Sequence, residues 1–174
     1  MLHKITGPGD LDGRKLMDIY AESNAENAED FFPEETDRTE ALRKTEAGFL
    51  DFLKNEFLAC SGNACWVLEE NGTWCSTLRT SLIRPGLYYL EALETRPDCR
   101  QNGCASRLLS GVLESMKTEG SFRLCACVNK KNTASLKTHE KCGFSIVSEK
   151  GYDYLNEEED ERDYGLEYSY CGQK

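Results

Sequence analysis

An arginine, two amides and a glycine, Arg100-Gln101-Asn102-Gly103, followed by Cys104 and Ala105, stand where a strand-like run gives way to a helix-like run. A helix start exposes unpaired N–H groups and the positive end of the helix dipole. A glycine in the turn before it lets backbone amides close around a phosphate, and an arginine adds a charge that can pair with one. In a chain of net charge −10, a cation and two amides at such a junction are compatible with a phosphate site. The alternative is a plain turn with a solvated arginine. Two common phosphate loops are excluded: the sequence holds neither G-x-x-x-x-G-K-[ST] nor G-x-G-x-x-G after the strand.

A second group lies further on. Asn132, Ser135, Leu136 and His139 fall on one face of a helix expected over about 131–142. Upstream, Glu91 and Glu94 sit in the strand-like run Leu87–Thr95, which ends at the phosphate loop. Either carboxylate could take a proton from an attacking nucleophile. Strand alternation expects them on opposite faces, because their separation is odd.

The elements that must position these residues follow from period and punctuation. Residues 2–5 alternate as a first strand, and Asp10 is the expected cap of a helix carrying Leu11, Leu16, Met17 and Tyr20. The acid-rich segment 22–40 reads as a solvated loop around Pro33. A second helix runs to about Leu58, with Leu42, Phe49, Leu50, Leu53 and Phe57 on one face. Asn71-Gly72 supplies the tight turn of a hairpin, and Pro85-Gly86 marks the next turn. The helix after the loop, from about 103 to 117, has an apolar face of Ala105, Leu108, Leu109, Val112, Leu113 and Met116. A near-continuous apolar strand over 122–128 suggests burial on both faces, and Gly143 is a natural stop for the helix before it. Two strands, 144–148 and 165–170, close the chain around the acidic segment 151–164. The expected order, β-α-α-β-β-β-α-β-α-β-β, is a mixed α/β sheet covered by helices in one domain over 1–174.

Two motifs resemble those of the GCN5-related N-acetyltransferases (GNAT). Arg100, Gly103 and Ala105 match the acetyl-CoA loop pattern [RQ]-x-x-G-x-[GA], and Asn132, Ser135, His139, Gly143 and Phe144 match N-x-x-[AS]-x-x-x-Y-x-x-x-G-F with His139 at the usual tyrosine. The resemblance implies the GNAT fold: a mixed, mostly antiparallel sheet of six to seven strands flanked by about four helices. It implies acetyl-CoA as cosubstrate, held by the amides of Arg100, Gln101, Asn102, Gly103, Cys104 and Ala105, by Leu93 and Thr95 along the strand, and by Asn132 and Ser135 on the helix. It makes Glu91 the first choice of general base, with Glu94, Tyr88 and Tyr89 as alternatives, and gives the backbone N–H of Leu93 to the oxyanion. It also makes His139 the group that could protonate the departing thiolate, since an ordinary histidine keeps some imidazolium near neutral pH. The resemblance is to bacterial members and leaves the amine unassigned.

Composition narrows the partners. The acidic balance argues against nucleic acid, whose phosphates it would repel. No apolar run approaches the ~20 residues of a membrane span, and the N-terminus lacks a signal-peptide core. The nine cysteines are odd in number and include no C-x-x-C, so they read as small buried hydrophobes in a reducing, cytoplasmic setting, with no metal expected. The first expectation is an acetyltransferase acting on a small primary amine, with cationic recognition supplied by the acidic segments 22–40 and 152–163. The alternatives are a protein N-terminal or lysine acetyltransferase, a non-catalytic acyl-CoA-binding regulator, and a cysteine-based redox or metal protein. A homodimer is compatible with the sequence.

Overall fold

The computed structural model describes residues 1–172. One seven-stranded sheet runs through the molecule. Its strands are β1 (Leu2–Ile5), β2 (Ala64–Glu70), β3 (Thr73–Arg84), β4 (Leu87–Thr95), β5 (Phe122–Asn129), β6 (Ser145–Ser148) and β9 (Asp163–Tyr170), in the spatial order β1-β2-β3-β4-β5-β9-β6. Among the described residues only the β4–β5 pair is parallel, and it needs a crossover. Helix α4 (Cys104–Lys117) provides it, burying Leu108, Leu109, Val112, Leu113 and Met116 on one face of the sheet. Each such side chain contributes about 1.5–3 kcal/mol on leaving water. Trp66, Leu78, Leu90, Leu124 and Phe144 meet this face. Helix α5 (Thr133–Lys141) lies beside α4 and returns the chain to β6.

The opposite face is covered by α1 (Gly13–Ile19), α2 (Ala21–Phe31) and α3 (Arg38–Phe52), the last continued by a π-helical turn, Leu53–Phe57. Here Leu16, Ile19, Tyr20, Leu53 and Phe57 pack on Cys65, Val67 and Trp74. A small hairpin, β7 (Gly151–Asp153) with β8 (Glu158–Asp160), stands outside the main sheet. No helix among the described residues is long and apolar enough to cross a membrane.

Two local expectations are corrected. Asp12, not Asp10, caps α1, its carboxylate accepting from the Lys15 N–H at 3.1 Å. Asp10 belongs to a 3₁₀ turn over Pro8–Asp10. The segment read as a solvated loop holds α2: Tyr20, Asn24 and Ala28 recur at helical spacing and are buried, but a polar residue within the stripe and acids all round it disguise the period.

Candidate active site

The β4–β5 ladder ends at Leu90↔Ala126, yet β4 continues to Thr95 and β5 to Asn129. Beyond Leu90 the two strands part, leaving that edge of β4 without a strand partner. A bulge sits at the parting. Arg79 faces Glu91 and Thr77 faces Glu94, so two steps on β3 are matched by three on β4. Ala92 takes a left-handed φ of 51° to absorb the extra residue, and the Tyr20 hydroxyl donates to its carbonyl at 3.4 Å. The bulge cancels the alternation expected of β4. Glu91 and Glu94 both emerge on the face covered by α1–α3: Glu94 accepts from Ser23 of α2, and Glu91 holds Arg79, whose guanidinium lies over Phe49 and Phe52 of α3. Burial pushes the Tyr20 phenol up, so Tyr20 stays protonated.

Two clefts meet at this point. One, about 620 Å³, is lined by Leu93, Thr95, Arg100, Gln101, Gly103, Cys104, Ala105, Asn132 and Ser135, among others. It therefore gathers the residues expected to hold the cosubstrate, with the exception of Asn102. Gln101 and Gly103 have φ of 62° and 73°, which turns the loop so that α4 begins with no side-chain cap. A Cβ at Gly103 would meet nothing within 4 Å, so the glycine serves backbone shape and open access. Open amides at the positive end of a 14-residue helix suit a diphosphate. Arg100 is anchored at the rim, its guanidinium on Glu22 at 2.6 Å and on the Thr95 carbonyl at 3.2 Å. Asn132 caps α5, its side-chain oxygen accepting from the Ser135 N–H at 3.0 Å. The thiols of this wall are poor nucleophiles: burial pushes Cys104 up and Cys99 up to about 12.

The second cleft, about 490 Å³, lies between α2, α3 and the sheet. Tyr20, Phe31, Phe32, Phe49 and Phe52 give it ring faces, and Asn24, Asn27, Lys44, Arg79 and Glu94 give it polar atoms. Glu94 lines both clefts. Its carboxylate accepts from the Ser23 hydroxyl at 2.8 Å, while Ser76 donates to its backbone carbonyl at 2.6 Å.

These placements bear on two catalytic expectations. Glu91 is among the residues lining neither cleft. Its carboxylate is held by the Arg79 guanidinium and by Ser81 at 3.4 Å, and Arg79 lies over the rings of Phe49, Phe52 and Phe57 at 5.5–5.7 Å. That carboxylate is therefore engaged with a half-buried arginine rather than turned into either cleft. His139 is 1% exposed and also outside both clefts. Its Nδ1–H donates to the Ser135 carbonyl at 2.9 Å, its ring stands edge-on to Phe144, and Nε2 has no partner among the described residues. Burial pushes its pKa down, so the expected imidazolium gives way to a neutral ring in the core.

The acidic segments are also placed differently from expectation. Segment 22–40 meets the second cleft through Ser23, Asn24, Asn27, Phe31 and Phe32 rather than through its carboxylates, and Glu35 is paired with Lys44. The acids of 153–163 surround a separate cavity beside Tyr89 and Cys127. Ser23, Asn27 and Phe31 were not legible as site residues, because their helix was not.

A sheet that splays beside a bulged strand, with an open helix N-terminus at the splay and a second cleft behind it, is an architecture that the comparison with known families identifies. The Acetyltransferase (GNAT) family model matches residues 16–144, and the chain belongs to that family. Solved structures of the same fold include PaiA N-acetyltransferase from Thermoplasma acidophilum in complex with coenzyme A, at 16% identity over 98% of this chain and 99% of that one, TM-score 0.65. An N-acetyltransferase from Staphylococcus aureus Mu50 is 21% identical over 98% and 97%, TM-score 0.58. The Campylobacter jejuni N-acetyltransferase PseH is 16% identical over 98% of both chains, TM-score 0.59. At these identities the likeness is one of fold. No curated protein sequence matches the chain.

Proposed function

We propose that the protein transfers the acetyl group of acetyl-CoA to a small primary amine with an apolar, ring- or alkyl-bearing body, by direct attack while both substrates are bound. The observation that carries this reading is Glu94, shared by a cleft suited to a diphosphate and pantetheine arm and by a cleft walled with five aromatic rings. An amine entering from the aromatic side reaches that carboxylate as it approaches the thioester.

In this reading the diphosphate rests on the amides of 100–105 and the arm lies along Leu93–Thr95, where β4 lacks a strand partner. Asn132 and Ser135 face it from α5. An ammonium has no lone pair, so Glu94 takes its proton, directly or through water. The amine nitrogen then attacks the thioester carbon. A C–N bond forms, the carbonyl oxygen gains the negative charge, and a β4 backbone N–H, that of Leu93 first among them, stabilises it. Collapse breaks the C–S bond and releases the CoA thiolate, and the surplus proton left on the attacking nitrogen passes to water or to that thiolate, leaving the neutral amide. A thiol of pKa about 8.5 leaves readily without a proton donor, so the chemistry does not require His139.

The shape of the second cleft favours a compact amine over a polycation, since Glu94 is the acidic residue among those lining it. Gly48, an exposed residue of α3 that lines this cleft, tests the assignment: a Cβ there would meet nothing within 4 Å. Gly48→Leu fills the cleft and keeps the helix, since leucine exceeds glycine in helix propensity by about 0.5–1 kcal/mol. The amine KM should rise at least tenfold while the acetyl-CoA dissociation constant holds. An unchanged amine KM places the acceptor elsewhere.

A further inference from the structure

The turn between β2 and β3 brings a carboxylate and a thiol to the start of α4. Glu70 ends β2, Cys75 lies just beyond the Asn71-Gly72 turn, and Cys104 is the first residue of α4. One oxygen of Glu70 and the sulfurs of Cys75 and Cys104 all lie within 4.8 Å of one another, and both cysteines are buried. We propose that Glu70, Cys75 and Cys104 bind a divalent metal ion of the zinc class.

Distance, charge and orientation each support the site. Zinc–sulfur bonds of about 2.3 Å and zinc–oxygen bonds of about 2.0 Å put tetrahedral ligand atoms roughly 3.5–3.8 Å apart. The Cys104 sulfur already stands 4.0 Å from Glu70 Oε2, so small side-chain rotations close the set. The two oxygens of Glu70 are divided in their use. Oε1 holds the Arg107 guanidinium, and Oε2 faces Cys104. Arg107 also lies 3.4 Å from the Cys104 sulfur. An outer partner on one carboxylate oxygen, with the other turned to the ion, is the usual support of a metal ligand. Two thiolates and one carboxylate, offset by Arg107, leave two negative charges that a divalent ion cancels, which a half-buried site requires. A disulfide between Cys75 and Cys104 would leave Glu70 and Arg107 with no part, so the metal is the better account.

The ion would fasten the β2–β3 hairpin to the first turn of α4, whose amides face the larger cleft. Loading should stiffen that turn. Metal binding does not depend on the acyl-transfer reading, so either can fail alone.

The experiment uses reduced, full-length protein titrated with Zn²⁺ against a chromophoric chelator, with bound metal measured by elemental analysis. A parallel titration with Co²⁺ reports thiolate-to-metal charge transfer in the near ultraviolet. One equivalent of zinc and a thiolate–cobalt band are expected. Cys75→Ser and Cys104→Ser should each weaken zinc at least tenfold and reduce the band. Glu70→Gln, which keeps both thiols and the fold, should weaken zinc with the band retained at saturation. Cys60→Ser, an exposed thiol outside the cluster, should bind as the parent does. If the serine variants do not fold, Glu70→Gln decides alone. Less than one equivalent in the parent, zinc affinity unchanged in Glu70→Gln, or an oxidised Cys75–Cys104 link in a protein that ignores both metals when reduced would each overturn the proposal.

Discussion

Replacing Gly103 separates backbone shape from phosphate recognition. Its φ of 73° is left-handed, and a side chain there would project into open space. Gly103→Ala therefore meets no clash and costs only the left-handed penalty of about 1–2 kcal/mol. Gly103→Glu incurs the same penalty, so the pair differs in charge and length but not in backbone cost. At a helix N-terminus the new carboxylate recovers about 0.3–1 kcal/mol of stability, so the Glu variant should melt no lower than the Ala variant. Binding is where they part. A carboxylate about 6 Å from a diphosphate of roughly two charges, at an effective dielectric near 60, repels it by about 2 kcal/mol. That is roughly thirtyfold in Kd. Calorimetric titration of both variants with acetyl-CoA should show that gap, and it should narrow between low and high salt as the charges are screened. Equal affinity in the Ala and Glu variants, at any salt, would refute the placement of the diphosphate at this helix start.

Three further substitutions bear on the roles within the site. Glu94→Gln keeps the shape and removes the basicity; turnover should fall by about 10²–10⁴-fold with acetyl-CoA affinity unchanged, as read by steady-state kinetics and titration. Glu91→Gln should act on the fold instead. The pair it breaks is only 16% and 11% exposed at Glu91 and Arg79, so unpairing the arginine should cost on the order of 3 kcal/mol and lower the melting temperature, which Glu94→Gln should not do. For His139→Phe, the folded-state pKa is depressed by burial from an ordinary 6.5. The neutral ring therefore contributes stability that is present above about pH 6.5 and is lost as pH falls from there through the folded value. Chemical denaturation across that range should show the parent losing stability faster than the Phe variant, and activity at neutral pH should be close to parental. A large loss of turnover with the fold intact would restore a catalytic role to His139.

Much of the fold was legible because its signals are local. The α4 stripe follows the helical period, Asn71-Gly72 dictates a hairpin, and the loop from Arg100 to Ala105 carries its own chemistry, so the cleft at the start of α4 gathers most of the residues read from sequence for the cosubstrate. The catalytic side was harder because it depends on non-local geometry. The parity of β4 is broken by a bulge at Ala92, a residue with no conspicuous turn preference, so alternation put Glu91 and Glu94 on opposite faces. Arg79, the partner that engages Glu91, is remote in sequence and meets it only through the β3–β4 register. His139 was read by its position in a motif, whereas its environment is set by Phe144 and the Ser135 carbonyl. The acidic segment 22–40 was judged by charge, although its buried residues are the uncharged Asn24 and Ala28.

The most direct test is thiol release from acetyl-CoA across a panel of amines, with the acetylated product confirmed by mass spectrometry. The panel should span phenylalkyl and alkyl monoamines, a polyamine, an aminoglycoside and short peptides with free N-termini or lysines. A cleft with five aromatic rings and one lining carboxylate predicts the highest kcat/KM for a phenylalkyl or alkyl monoamine, with that advantage abolished in Gly48→Leu. If acetyl-CoA binds but no amine raises thiol release above the amine-free rate, or if the polyamine, aminoglycoside or peptides are preferred, the account of a shared Glu94 serving a compact apolar amine is wrong.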